Sequence, residues 1–340
     1  MSLDIAESAP SPEPKAPEAA ARWSGALRAF RLPGLYRFGG LYVLVALFAV
    51  FSLLRPDTFP TVLNLRTMLI SQSFLAIAAL GLLVAAVNGE FDLSIGFLSG
   101  FVGALVAWLS VGHGWPAIAA ATAGMATAAV VGVINGYLIV KLGIISLIAT
   151  LGTGTVVSGL TLWVTGGKVL FGMQRDLIAI GQTRWFQIQV SVYVMLALIA
   201  AAAFVFHLRA VGRHMYANGG NKQAARMAGV ATDRLTWAAM VISSSVAGVA
   251  GILYTANIGA ASPEAGVELL LPSFAAIFLG STLITPGKFN VFGTATALLL
   301  LVVLVNGVQQ LGAPSWVHPV FNGLALIISV AAAQLRARRG

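Results

Sequence analysis

"TMLISQSFLAIAALGLLVAAV", residues 67–87, runs through the sequence without a single charge. An α-helix rises about 1.5 Å per residue, so about 20 apolar residues cross a hydrocarbon core of about 30 Å. The run is continuous rather than alternating, which is the pattern of a membrane helix and not of a barrel strand. Working outward, runs of the same character lie near 39–54, 93–111, 115–140, 144–165, 188–208, 236–257, 266–284, 290–311 and 316–334. The first is short, and those near 93–111 and 266–284 are candidates for partly re-entrant segments. The expected fold class is all-α: a polytopic membrane helical bundle of about ten transmembrane helices.

Composition agrees with that reading. Of 340 residues, 58% are hydrophobic and 9% charged, against about 25% charged in soluble domains. There is no cysteine, which removes disulfides, thiolate nucleophiles and cysteine metal sites. The net charge of +9 is read as topology, with lipid and not nucleic acid as the surrounding partner, because Lys and Arg mark the cytoplasmic side of membrane proteins. Residues 1–22, rich in Pro, Ala, Ser and Glu, read as a disordered cytoplasmic tail. Residues 23–340 then form a single transmembrane domain.

Arg22, Arg28, Arg31 and Arg37 place the start of the first span in the cytoplasm. With an even number of spans, Lys141, Arg209, Arg213, Lys222, Arg226, Arg234, Lys288, Arg336, Arg338 and Arg339 fall on the same side, so both termini are expected there. Lys168, Arg175 and Arg184, in the segment 166–187, fall outside against the rule, and that segment is a candidate outer cover. An internal repeat is readable between "EFDLSIGFLSGFVGALVAWL" (90–109) and "VELLLPSFAAIFLGSTLI" (267–284). Each is followed by a span containing Asn-Gly, at 135–136 and 306–307. Chance likeness between two apolar segments is the competing explanation.

Two polar stretches interrupt the apolar chain. In "NGEFDLSIG" (88–96), Glu90 and Asp92 join two spans. A mid-membrane carboxylate costs about 2.5–3.5 kcal/mol on insertion scales, so an ion site would need them deep. The topology places them at the cytoplasmic boundary, where Asp92 and Ser94 would cap the next helix. In "YANGGNKQAARMAGV" (216–230), Gly219 and Gly220 are expected to break the structure, Asn221 to cap a two-turn helix from Lys222 to Ala228, and Gly229 to end it. Ala224, Ala225, Met227 and Ala228 would then expose a small apolar surface beside Arg226. The alternatives are a docking element and an ordinary basic loop.

Polar residues within the spans are neutral: Ser71, Gln72, Ser73, Asn135, Thr150, Thr153, Thr155, Ser158, Asn257, Asn306 and Asn322. Such groups suit a neutral polar solute, and they equally suit hydrogen bonds between helices. No Ser/His/Asp cluster, metal constellation or G-x-x-x-x-G-K-[ST] phosphate loop is present. "TPGKFN" (285–290) reads as a turn.

Four stretches together carry a resemblance: "NGEFDLSIGFLSG", "ISLIATLGTGTVVSGLTLWVTGG" (145–167), "VGRHMYANGGNKQAARMAGV" (211–230) and "FGTATALLLLVVLVNGVQQLG" (292–312). In this order they are similar to the inner-membrane permease of a bacterial ABC importer, of the ribose/xylose/galactose-type sugar permease family related to branched-chain amino acid permeases. That resemblance implies a homodimeric permease in the bacterial inner membrane, working with two ATP-binding cassette subunits and a periplasmic substrate-binding protein. It implies no cofactor on this chain, with ATP and Mg on the partner subunit. Gly219, Gly220, Asn221, Ala224, Ala225, Arg226 and Gly229 carry over to the coupling element within the cytoplasmic loop 209–235. Asn88, Asp92, Leu93, Ser94 and Gly96 carry over to the Asp-Leu-Ser signature. The family's usual Gly-Gly-Ile-Asp-Leu-Ser reads Asn88-Gly89-Glu90-Phe91-Asp92-Leu93-Ser94 here, and its Thr-Ser-Leu-x-Gly-Gly-x-Gly reads Ser281-Thr282-Leu283-Ile284-Thr285-Pro286-Gly287-Lys288.

The expected function is therefore ATP-driven, binding-protein-dependent uptake of a monosaccharide or similar small polar solute, with no bond-making chemistry on the chain. Asn88, Asp92, Ser94, Asn135, Thr150, Thr153 and Asn306 are the candidate pathway or gating residues. The alternatives are a secondary transporter with no ATPase, or an importer of nucleosides, polyols or branched-chain amino acids.

Overall fold

The computed structural model describes residues 38–337. The tail 1–22 and the arginines at 22, 28, 31, 37, 338 and 339 lie outside them. In chain order the helices are α1 (Gly39–Leu54), α2 (Val62–Val87), α3 (Ser94–His113), α4 (Ala117–Val140), α5 (Ser146–Thr165), α6 (Arg175–Gln182), α7 (Val190–Leu208), α8 (Ala210–Gly220), α9 (Lys222–Met227), α10 (Thr232–Ile258), α11 (Val267–Thr282), α12 (Val291–Gln310) and α13 (Val317–Ala337). Every apolar run of the sequence is a helix. Seven are long and apolar enough to cross a bilayer, and α1, α11 and the apolar part of α13 are shorter.

Helix limits follow local chemistry. Thr61 Oγ1 accepts from the Asn64 amide at 3.2 Å, which caps α2 five residues before the apolar run begins and draws Arg66 into the helix. Asn290 Oδ1 accepts from the Gly293 amide at 2.6 Å and starts α12. Its Nδ2 donates to the Gly280 and Lys288 carbonyls, holding the α11–α12 connection closed.

α10 is the central helix, packed against α2, α3 and α4. Around it lie fully buried side chains such as Ile77, Leu82, Leu83, Ile95 and Leu98. The outward faces of α1, α4, α5 and α13 expose Val45, Ile118, Ile148 and Ile327, as a bilayer demands.

Two ends of the bundle are distinct. At one end sit α8 and α9, the α2–α3 connection and the α11–α12 connection. At the other, β1 (Leu170–Phe171) pairs antiparallel with β4 (Ala260–Ala261), and α6 packs on α10, with Gln182 Nε2 donating to the Asn257 carbonyl at 2.9 Å. The hairpin of β2 (Arg184–Trp185) and β3 (Ile188–Gln189) projects beyond, turning through Phe186 and Gln187 at positive φ. Segment 166–187 thus lies at the end away from α8.

α3 runs away from the α8 end and α11 runs towards it, and their first turns meet inside the bundle. A Cβ on Gly266 would stand 2.2 Å from the Gly96 carbonyl oxygen and 2.4 Å from the Gly100 amide, so the backbones touch with no side chain between. The two segments of the suggested repeat therefore begin against one another.

Candidate functional site

The connection 88–93 leaves the helical path, with Asn88 and Asp92 buried and Glu90, Phe91 and Leu93 half-buried. Non-helical backbone is tolerated there only when its polar groups find partners within the protein. α5 supplies them. Ser146 Oγ accepts from the Phe91 amide at 3.2 Å, and Thr150 Oγ1 accepts from the Leu93 amide at 2.9 Å. Thr150 itself donates to the Ser146 carbonyl at 2.7 Å.

Asp92 is the hub. Its side chain is 0% exposed. Oδ1 accepts from the Ser94 amide at 2.9 Å and from the Ser94 hydroxyl at 2.5 Å, and Oδ2 accepts from the Ser243 hydroxyl at 2.8 Å. Behind Ser94 stands Asn135, whose Nδ2 donates to Ser94 Oγ at 3.0 Å. Behind Asn135 stands Thr153, whose hydroxyl donates to Asn135 Oδ1 at 2.6 Å. The donors of Thr153, Asn135 and Ser94 follow one another along the chain to the Asp92 carboxyl group, which accepts three hydrogen bonds in all.

The boundary placement of Asp92 is corrected by this geometry. Ser243 lies eleven residues into α10, about 16 Å along its axis, and Asp92 reaches it from inside the bundle. The physical reason is that the chain turns back inward after Gly89, so sequence distance from the loop does not measure depth. Glu90 stays nearer the surface, with its carboxylate 3.3 Å from Lys222 Nζ. Capping by Asp92 holds, since it accepts the first amide of α3. Ser94 does not cap; its hydroxyl donates to Asp92.

The loop 209–235 seats directly on this connection. Asn218 Nδ2 donates to the Asn88 carbonyl at 3.2 Å and to Asn88 Oδ1 at 3.0 Å, while Asn88 Nδ2 donates to Thr236 Oγ1 at 3.2 Å. Gly219 meets Gly89 backbone to backbone: a Cβ on Gly219 would stand 2.4 Å from the Val87 oxygen. Tyr216 donates to the Phe289 carbonyl at 2.7 Å, and Phe289 packs edge-on against Phe91 with ring centroids 6.1 Å apart. Burial pushes the Tyr216 hydroxyl up from its ordinary value, so it remains a donor.

Three details of the loop differ from the sequence reading. Gly219 and Gly220 do not break the chain, because α8 continues through Gly220; Gly219 is small for packing, not for flexibility. α9 is six residues, ending at Met227. Ala225 is buried at 5% exposure, so it does not share the outward surface. Asn221 does cap, with Oδ1 accepting from the Ala224 amide at 2.9 Å, and Gly229 ends the turn at φ +83°. Ala224 and Arg226 face outward, and Met227 is 85% exposed. Arg226 is 2.5 Å from Asp233, a pair in solvent that contributes little to stability.

Asp92, Ser94, Asn135 and Thr153 are thus joined in one hydrogen-bonded chain, Thr150 braces the same connection at Leu93, and Asn88 belongs to a second set with Asn218 and Thr236. Asn306 is part of neither. It lines a separate polar cavity among α2, α10, α11, α12 and α13, with Ser71, Gln72 and Asn322. Sequence reasoning missed Asn218, Thr236, Ser146 and Ser243. The signal for Ser243 is the run Ser243-Ser244-Ser245 inside an apolar helix.

Comparison with known proteins follows the same outline. A family model described as branched-chain amino acid transport system / permease component matches residues 64–330. The ribose import permease protein RbsC of Escherichia coli (strain K12) is 31% identical over 294 residues, covering 85% of this chain and 91% of that protein. The D-allose transport system permease protein AlsC of the same strain is 28% identical over 295 residues, 87% and 90% of the two chains. The autoinducer 2 import system permease protein LsrC of Yersinia pseudotuberculosis serotype O:3 (strain YPIII) is 29% identical over 288 residues, 84% and 81%. No solved structure matches. Taken with a multi-pass helical bundle, these matches mean that the chain belongs to the permease-component family of ABC transporters.

Proposed function

We propose that this chain is the membrane permease of an ATP-driven, binding-protein-dependent importer of a monosaccharide or similar small neutral solute. The observation that carries the reading is the seating of α8 and α9 on the 88–94 connection. A short capped helix presents Met227 and Arg226 outward while its base is fixed to the bundle by Asn218–Asn88 and the Gly219–Gly89 contact. A two-turn helix is marginal alone, and such a surface suits docking against another subunit.

In this reading the α8 end is cytoplasmic, as are both termini, and the membrane is the bacterial inner membrane. The excess of Lys and Arg at that end, including Lys141, Arg213, Lys222 and Arg234, supports it. ATP and Mg bind a cassette subunit docked on α9. A second copy of the chain completes the permease, and a periplasmic binding protein delivers the solute. The similarity to ribose and D-allose transport permeases supports a sugar as the solute class. The chain makes and breaks no bonds; it converts different affinities in two conformations into direction.

Replacing Met227 by Glu tests the docking. Burying an unpaired carboxylate at a subunit contact carries a large desolvation cost, so the variant should reach the membrane in normal amount, lose co-purifying cassette subunit and lose uptake. Normal uptake and a normal cassette complement would reject the assignment. Uptake by the unaltered chain that collapses with an uncoupler while ATP stays high would favour a secondary carrier.

A further inference from the structure

We propose that the cavity among α2, α10, α11, α12 and α13 is a solute-binding chamber for a neutral polyhydroxy compound, in which the Glu268 carboxylate accepts hydrogen bonds from adjacent hydroxyls. The proposal rests on the permease reading and adds to it a place and a chemistry.

The chamber lies far from the coupling end. Ser71 on its wall is sixteen residues before Val87 on α2, about 24 Å along the helix. It is set at the end of the bundle that faces the periplasm in the orientation proposed above. Its volume is about 270 Å³, just below the about 300 Å³ at which pockets for drug-sized ligands begin. That suits one sugar ring better than two.

Its lining differs from every other groove described here. The grooves beside α1, α7 and α5 are lined almost wholly by apolar side chains. This one gathers Glu268, Tyr254, Gln309, Asn306, His318 and Asn322. Some of that hydrogen-bonding capacity is already used within the chain. Gln72 donates to the Leu298 carbonyl, Asn306 Oδ1 accepts from Gln310, and Asn322 pairs with His318 at 3.1 Å. The Glu268 carboxylate, the Tyr254 hydroxyl, the Gln309 amide and Asn306 Nδ2 make no hydrogen bond to a described side chain. Pro272, one turn beyond Glu268 and also on the wall, has no amide to return to the Glu268 carbonyl. Glu268 and Gln309 are exposed to the cavity and Tyr254 and Asn306 are half-buried in its wall, so these groups are open to a molecule that brings its own donors and acceptors.

The class of that molecule follows from the inventory. No Lys or Arg lines the chamber, so nothing offsets the Glu268 charge against an anion. A carboxylate accepts only, with room for two donors, whereas amide and phenol groups both donate and accept. Vicinal hydroxyls satisfy both kinds. Leu75, Leu269 and Leu301 supply apolar wall for the carbon face of a ring, and Phe74, edge-on at 5.6 Å, fixes the Tyr254 ring.

The natural absence of cysteine makes the test direct. Gln309→Cys and Asn322→Cys are introduced singly into the full transporter in intact cells, with Ile327→Cys as the control on the apolar outer surface, 66% exposed on the same helix as Asn322. The probe is a charged methanethiosulfonate reagent that does not cross membranes. Only a hydrated thiol ionises and reacts, so the two chamber thiols should react at least about tenfold faster than the control. D-ribose, D-allose or ribitol should slow them severalfold. Glu268→Gln should lower uptake by about tenfold or more, the loss of one charge-assisted hydrogen bond, while Glu268→Asp keeps part of it. Chamber thiols as inert as the control, or reactive thiols that none of the three compounds protects, would overturn the chamber assignment. Normal uptake by Glu268→Gln would overturn the role of its carboxylate. The permease reading stands or falls separately, on whether uptake in the same cells needs the cassette subunit.

Discussion

Gly219 and Gly220 are adjacent and equivalent in the sequence motif, but the structure assigns them opposite tolerances. A Cβ on Gly219 would lie 2.4 Å from the Val87 oxygen and 3.0 Å from the Gly89 amide nitrogen. The first approach is about 1 Å short of ordinary contact, and both neighbours are backbone, so no rotamer relieves it. Gly219→Ala must lift the end of α8 off the connection, lengthening the Asn218–Asn88 bonds of 3.0 and 3.2 Å beyond useful range. Overpacking of this kind costs about 1–3 kcal/mol. Around Gly220 nothing lies within 4 Å of the added atom, and its φ is not positive. Gly220→Ala should therefore be neutral or stabilise by about 0.5–1 kcal/mol through helix propensity. The assay pairs the thermal unfolding midpoint of the purified chain with solute-stimulated ATP hydrolysis by the assembled transporter. Gly219→Ala should lower the midpoint and uncouple hydrolysis from uptake, and Gly220→Ala should do neither. Equal behaviour of the two variants would refute the backbone-contact argument.

Other consequences follow from the same contacts. Asp92→Asn replaces an acceptor with a donor facing Ser94 and Ser243, and should cost about 1–3 kcal/mol, the range for leaving a buried polar group unsatisfied; an unchanged midpoint would show that the carboxyl group is not the hub. Thr153→Val strands the buried Asn135 oxygen and should destabilise by about 1–3 kcal/mol, with Thr153→Ser, which keeps the hydroxyl, largely restoring the midpoint. Tyr216→Phe removes the bond to Phe289 but keeps the ring 5.9 Å from Phe206, so a loss of about 1 kcal/mol is expected. Because burial raises the hydroxyl's pKa, that contribution is present at neutral pH and is lost only as alkali carries the pH through the raised value. Asn221→Ala should cost about 1 kcal/mol of helix capping and show as faster amide exchange confined to α9.

The ten apolar runs were legible because hydrophobic length is a one-dimensional property and the bilayer sets it. Capping by Asn221 and the left-handed Gly229 were legible because they depend on neighbours two or three residues away. Depth was not. Asp92 looks peripheral because it lies five residues past the end of α2, and only the inward return of 89–93 carries it to Ser243. The burial of Ala225 was hidden for the same reason, since a six-residue helix has no periodicity long enough to show its inner face. Of the polar span residues, Asn135 and Asn306 look alike in sequence, each in an Asn-Gly pair. Only the fold separates them, placing one in a packed network and the other on a cavity wall.

Side chains are compliant: they change rotamer and absorb small displacements. The junctions Gly89–Gly219 and Gly96/Gly100–Gly266 have no such slack, because backbone bears on backbone. The first joins α8 to the 88–94 connection, the second joins the opening turns of α3 to the start of α11, and Glu268 follows Gly266 by two residues. A push of one ångström at α8 and α9 would thus reach the polar cavity at the other end of the bundle with little backlash, as through a rigid linkage rather than a spring. The glycines matter here as bearing surfaces, and their lack of a side chain is what keeps the two ends of the transporter in register.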